Sequence, residues 1–148
     1  MKKSLFVAAS LIVAIAAGSA HAQNLDAIKA RKDLLKEFGA VTKPVGGMMK
    51  GEVAFDLAVA QKALATYVTN AEKLKTLFPD DSKTGGDTEV LPVAFEKKAD
   101  FLAGFAKLGE AAAAAKTTVK DEASMKAAFG AILKGNCTAC HDTYRVKK

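Results

Sequence analysis

Hydrophobic residues recur along this chain at intervals of three and four, and the strict alternation that marks a half-buried strand is almost absent. The clearest run is Leu57, Ala60, Leu64, Tyr67, Ala71, Leu74 and Phe78, which falls on one helix face. Pro79-Asp80-Asp81-Ser82 ends that helix, and the turn formers Thr84-Gly85-Gly86-Asp87 follow. Ahead of it, Leu25, Ile28, Leu35, Phe38 and Thr42 mark a first helix that the residues from Pro44 to Gly47 break or kink. A third helix begins near Pro92, a residue suited to a first turn, and turns Phe95, Ala99, Leu102, Ala106 and Gly109 inward. A fourth starts near Lys120-Asp121-Glu122, where acidic residues suit a helix N-terminus, and carries Met125, Phe129, Ile132 and Asn136 inward. Four amphipathic helices with mostly short connections predict an all-α antiparallel four-helix bundle, with no repeat and no second domain.

The first residues follow another logic. Met1-Lys2-Lys3 is basic, Leu5 to Ala17 is apolar, and Ala20-His21-Ala22 is a small-x-small cleavage site. This is the layout of a secretory signal peptide over residues 1–22, and its apolar run is short for a membrane span. Cleavage before Gln23 leaves 148 − 22 = 126 residues, so 23–148 is expected to be one bundle domain. No second stretch is apolar enough to cross a bilayer, so the processed chain is expected to be soluble in the periplasm. The formal net charge of +6 falls to +4 once Lys2 and Lys3 leave. The remaining basic residues are interspersed with Asp and Glu and form no arginine cluster. That pattern marks solvated helix faces, excludes a nucleic-acid site, and leaves a mildly basic surface for an acidic redox partner.

The chemistry is concentrated in Cys137-Thr138-Ala139-Cys140-His141, a C-x-x-C-H sequence that reads as a c-type haem attachment site. On an α-helix each residue advances about 100° and about 1.5 Å, which places Cys137, Cys140 and His141 within an arc of roughly 100°. Two thioethers then fix one porphyrin edge while the adjacent imidazole reaches the iron. A zinc site needs further Cys or His ligands, a thioredoxin-like pair follows a strand, and a plain disulfide leaves His141 unexplained. His21 departs with the signal, so His141 is the single histidine of the processed chain and a bis-histidine iron is excluded. Met48, Met49 and Met125 remain as sources of a second axial ligand, beside the alternative of none.

An all-helical exported chain with this motif near its C-terminus resembles the class II cytochromes c, the cytochrome c′ group. The matching stretches are Ala30-Arg31-Lys32, Lys50-Gly51-Glu52 through Phe55-Asp56, Leu77-Phe78-Pro79, Thr84-Gly85-Gly86-Asp87 and Cys140-His141-Asp142-Thr143-Tyr144-Arg145. The resemblance covers essentially the whole processed chain and implies one covalent haem c. In low-spin members a methionine four residues after the position of Arg31 binds the iron; here that position is Leu35. Five-coordinate members carry an apolar residue there that caps the distal haem face, so the resemblance implies a vacant but crowded sixth position. It also implies that Arg31 lies near the propionates, with Lys32 in place of a common glutamine, Asp87 near the haem edge and Arg145 beside the proximal histidine. The implied function is binding of NO or CO, with one-electron transfer alongside it. The alternative is a low-spin Met/His-ligated carrier with redox partners of unknown identity. A homodimer through the first two helices is implied as well; with no further histidine or cysteine in the processed chain for acid–base or nucleophilic work, no enzymatic activity is expected.

Overall fold

The computed structural model describes residues 24–147. The expected signal segment, its cleavage point before Gln23 and His21 lie outside the described residues. Six α-helices follow in order: α1 (Leu25–Lys50), α2 (Leu57–Leu74), α3 (Val93–Glu96), α4 (Lys98–Thr118), α5 (Glu122–Ile132) and, after a π-helical turn (Leu133–Thr138), α6 (Ala139–Tyr144). The long members α1, α2, α4 and the continuous α5–π–α6 unit form the antiparallel four-helix bundle that the periodicity predicts. Among the described residues, β-structure is confined to an isolated bridge between Val90 and Arg145.

Of the break or kink expected in α1, the break does not occur: the helix runs on through Pro44 to Lys50. Pro44 lacks an N–H and Gly46 and Gly47 are weak helix formers, but Val45 and Met48 are buried and hold this segment to the core. The helix ends instead at Gly51, which takes φ 75°. Its N–H donates to Met48 O (3.1 Å) and the Glu52 N–H to Gly47 O (2.9 Å), the paired bonds that close a helix on a left-handed residue. The Met48 thioether also accepts the Asp56 N–H at 3.1 Å, tying the end of α1 to the start of α2.

Asp56 caps α2 by accepting from the N–H groups of Ala58 and Val59. The α2 stripe is buried as predicted, except that Leu57 is exposed and Phe78 lies beyond the helix end. Phe78 is nonetheless buried and centres an aromatic cluster, with ring centroids 4.7 Å from Phe101, 5.6 Å from Phe105 and 6.5 Å from Phe95. Tyr144 of α6 joins it at 5.0 Å from Phe101. A second cluster, Tyr67 with Phe38 and Phe129, joins α2 to α1 and α5. Each such pair adds about 0.5–1.5 kcal/mol beyond the area it buries.

Two predicted stripes are out of phase. In α4 the buried residues are Phe101, Phe105, Leu108, Ala112 and Ala115, while Ala99 is exposed and Leu102, Ala106 and Gly109 are half-buried. The cause is Lys97, whose φ −107° and ψ 44° separate α3 from α4, so a count begun at Phe95 crosses a kink. In α1 the core takes Ile28, Arg31, Leu34, Phe38 and Val41, leaving Leu25 and Leu35 exposed. The prediction for α5 holds: Met125, Phe129 and Ile132 are buried, and Asp121 with Ser124 forms a reciprocal capping box. Asn136, the fourth predicted residue, falls in the π-turn and is half-buried. α1 lies extensively along α2, and α2 along α4, whereas α1 meets α5 over a much shorter stretch.

Candidate haem site

The Cys-x-x-Cys-His segment straddles a change of helical pitch. Cys137 belongs to the π-turn, and Cys140 and His141 to α6. A single uninterrupted α-helix through the motif is therefore not what forms; the i→i+5 turn re-aims Cys137 relative to the two residues after it. Cys140 and Tyr144 pack against the core, Cys137 is half-buried, and His141 is exposed. Both thiols are free. Burial pushes each of them up, and Cys137 raises Cys140 further. Partial desolvation, with help from the Arg145 guanidinium, presses the His141 imidazole down, against the opposing pull of Asp142 and Glu89. A neutral imidazole keeps a nitrogen lone pair for a metal.

Arg31 and Lys32 meet the 77–88 connection. Arg31, 1% exposed, donates from Nη1 to Leu77 O (3.3 Å) and Ser82 Oγ (2.7 Å), and from Nη2 to Ser82 O (2.9 Å) and Thr88 Oγ1 (2.8 Å). It also lies 4.8 Å from the Phe78 ring centroid. All its partners are neutral, and burial pushes it below its usual value. Lys32 Nζ donates to Gly86 O (3.0 Å) and, more weakly, Asp87 O (3.4 Å), so three of the residues selected by resemblance converge here.

Asp87 closes a run of left-handed residues after Gly85 and Gly86. At Gly86, φ is 53° and an added Cβ would lie 2.9 Å from Ile28 Cγ2. Gly86→Ala is therefore expected to lower unfolding free energy by about 1–3 kcal/mol in denaturant melts. Gly104→Ala, inside α4 with open space around its Cβ position, is expected to raise it by about 0.5–1 kcal/mol.

Past Asp87 the chain reaches the motif itself. Glu89 accepts from Arg145, and the 89–91 segment hydrogen-bonds to 144–146 through Leu91 N–H to Tyr144 O and Val146 N–H to Glu89 O. The 77–91 connection thus links the Arg31–Lys32 corner to the helix that carries His141. Leu35 stands apart on α1: it is 36% exposed, its neighbour Leu34 packs in the core instead, and Gly39 one turn on has nothing within 4 Å of its Cβ position.

Several residues of this region were not legible. Glu89, Ser82 and Thr88 act on partners 51 to 57 residues away, and nothing local announces them. The Thr42 hydroxyl lies 2.5 Å from both Phe38 O and the Tyr67 hydroxyl; it donates to the carbonyl, so Tyr67 donates to it. Burial pushes the Tyr67 phenol up, against the opposing hydrogen bond with Thr42. Mid-helix glycines at positions 39 and 46 are the local signals of open space on α1.

These features fit a flat apolar cofactor. Two free thiols stand three residues apart, a neutral imidazole follows them, an aliphatic side chain is left uncovered on α1, and α1 and α5 are sparsely packed. They do not fit a polydentate metal centre: among the described residues no three His, Cys, Asp or Glu side chains are grouped to hold an ion. The family model described as Cytochrome C′ matches residues 26–145. The chain belongs to the cytochrome c′ family. A cytochrome c′ of Rhodopseudomonas palustris is 52% identical over 148 residues, covering 100% of this chain and 99% of the relative. A solved cytochrome c′ from that organism superposes with a TM-score of 0.80 at 55% identity, covering 83% of this chain and 98% of the other. A cytochrome c prime from Alcaligenes xylosoxidans, solved as the nitric oxide complex of a leucine-to-valine variant, superposes with a TM-score of 0.63 at 25% identity, over 85% of this chain and 98% of that one. Membership of the cytochrome c′ family makes this a covalent haem c protein, and its only two cysteines are Cys137 and Cys140. No helix among the described residues is long and apolar enough to cross a membrane.

Proposed function

We propose that this cytochrome c′ holds haem c through thioethers to Cys137 and Cys140, with His141 as the axial protein ligand, and binds NO or CO at a five-coordinate iron. When bound, the haem supplies an iron that takes small uncharged diatomic ligands and exchanges one electron. The observation that carries the reading is Leu35. Its side chain is uncovered on α1, has no lone pair to offer, and gives water or anions no hydrogen bond. The methionines support it from the other side. The Met48 sulfur is taken by the Asp56 N–H, Met125 is fully buried in the core, and Met49 packs against that core. Arg31, Lys32, Asp87 and Arg145 form the polar margin of the site, where cationic side chains suit haem propionates.

The processed chain, cut before Gln23, acts in the periplasm, without enzymatic turnover. It also passes single electrons to partners that dock at the haem edge. Two copies pair through α1 and α2, for which exposed Val53 and half-buried Val59 are available. Optical spectra of the reduced protein with and without CO test the central point. A broad high-spin band that sharpens on CO addition is expected. Narrow, split low-spin bands unmoved by CO would replace this reading with a methionine-ligated carrier.

A further inference from the structure

Glu89 lies in a connection that periodicity reads only as loop, yet its carboxylate is aimed at the helix carrying His141. Its Oε2 accepts from Arg145 Nε at 2.9 Å and lies 2.8 Å from Nη2, so one oxygen takes the Nε–Nη2 edge of the guanidinium. The main chain fastens the same two residues. Val146 N–H donates to Glu89 O at 2.8 Å, Leu91 N–H to Tyr144 O at 2.9 Å, and the Arg145 N–H itself to His141 O at 3.2 Å. Both side chains are about two-fifths exposed, and an ion pair in that setting contributes about 0–1 kcal/mol. The backbone bonds already secure the tail, so stability is a weak reason for the pair. Its position is the distinctive fact: Arg145 follows His141 by one helical turn, its N–H bonded to the His141 carbonyl, and Glu89 grips its guanidinium from the facing segment.

We propose that Glu89 is a positioning residue for the iron: it holds the Arg145 guanidinium beside His141, and the balance of the two charges sets how readily the iron is reduced. Reduction removes one unit of positive charge from the centre, so a nearby carboxylate favours the oxidised form and a nearby guanidinium the reduced form. Paired, the two offset each other; apart, Arg145 acts alone and is free to leave the place it holds. The inference rests on His141 being the axial ligand.

The test is a potentiometric titration of the haem-loaded protein at low salt. At the wild-type midpoint potential, Glu89→Gln is expected to raise the reduced-to-oxidised ratio several-fold and Arg145→Met to lower it, with the double variant near wild type. Both shifts shrink at high salt. Glu122→Gln removes a carboxylate about 28 Å from His141 along the helix and is expected to change nothing. His141→Gly reads the underlying assumption separately through the optical spectrum, which added imidazole restores. If that spectrum matches wild type, ligation by His141 fails and this inference with it. If it changes while Glu89→Gln leaves the midpoint in place, Glu89 is a structural clip and the inference alone is overturned.

Discussion

Replacing Cys137 and Cys140 together by alanine is expected to leave no haem on the chain after denaturing electrophoresis, where the parent chain keeps a haem-dependent stain. The effect is all-or-none because the chain has no other cysteine, and a thioether survives conditions that strip any cofactor held by packing and one imidazole. Either single substitution retains one possible link, so partial yield of stained protein is expected from each. The double variant is also expected to melt at lower temperature. A group bound only by the folded state adds RT ln(1 + [L]/Kd) to stability, and a covalent one acts as if its concentration were very high. Without it, the short contact between α1 and α5 leaves uncovered Leu35 to water.

The second large effect is expected at Leu35. Leu35→Met places a thioether where the leucine offers no electron pair, and the reduced protein should change from a broad high-spin to a narrow low-spin spectrum. CO must then displace a ligand, and its affinity is expected to fall by about 30- to 150-fold, equivalent to about 2–3 kcal/mol. Leu34→Met is the discriminating control. Leu34 packs against the core, so a sulfur there faces away from the site and the spectrum should stay high-spin. Equal behaviour of the two variants would remove Leu35 from the distal face.

The contrast between Leu34 and Leu35 also shows what the sequence reveals and what it withholds. The four bundle members, the bundle class and the attachment motif are written locally, in periods of three and four and in five consecutive residues, whereas the short α3 and the separation of α6 from α5 are not. Phase is more fragile. Counting from Leu25 assigned Leu35 to the core, and counting from Phe95 across Lys97 misplaced the whole α4 stripe, because a single residue outside helical geometry rotates everything after it. The Pro44 break failed for a related reason: burial of Val45 and Met48 outweighs the one hydrogen bond that proline removes. The π-turn within the motif has no sequence signature, and it alters the angle between Cys137 and Cys140. Arg31 was selected by resemblance for a propionate, but four of its donors go to acceptors that only the folded chain assembles.

That corner has a consequence for how the protein meets harsh conditions. Acid protonates Glu89, and salt screens its attraction for Arg145, so the tether beside His141 weakens in either medium. The ring of acceptors around Arg31 contains nothing that acid can discharge. It encloses a cation that no attainable alkalinity neutralises, and it is too deeply buried for dissolved ions to reach. As the medium turns acidic or briny, the 77–91 connection should therefore keep both ends, its backbone bonds holding the histidine end, while the Arg145 side chain there is released and the Arg31 side chain is not.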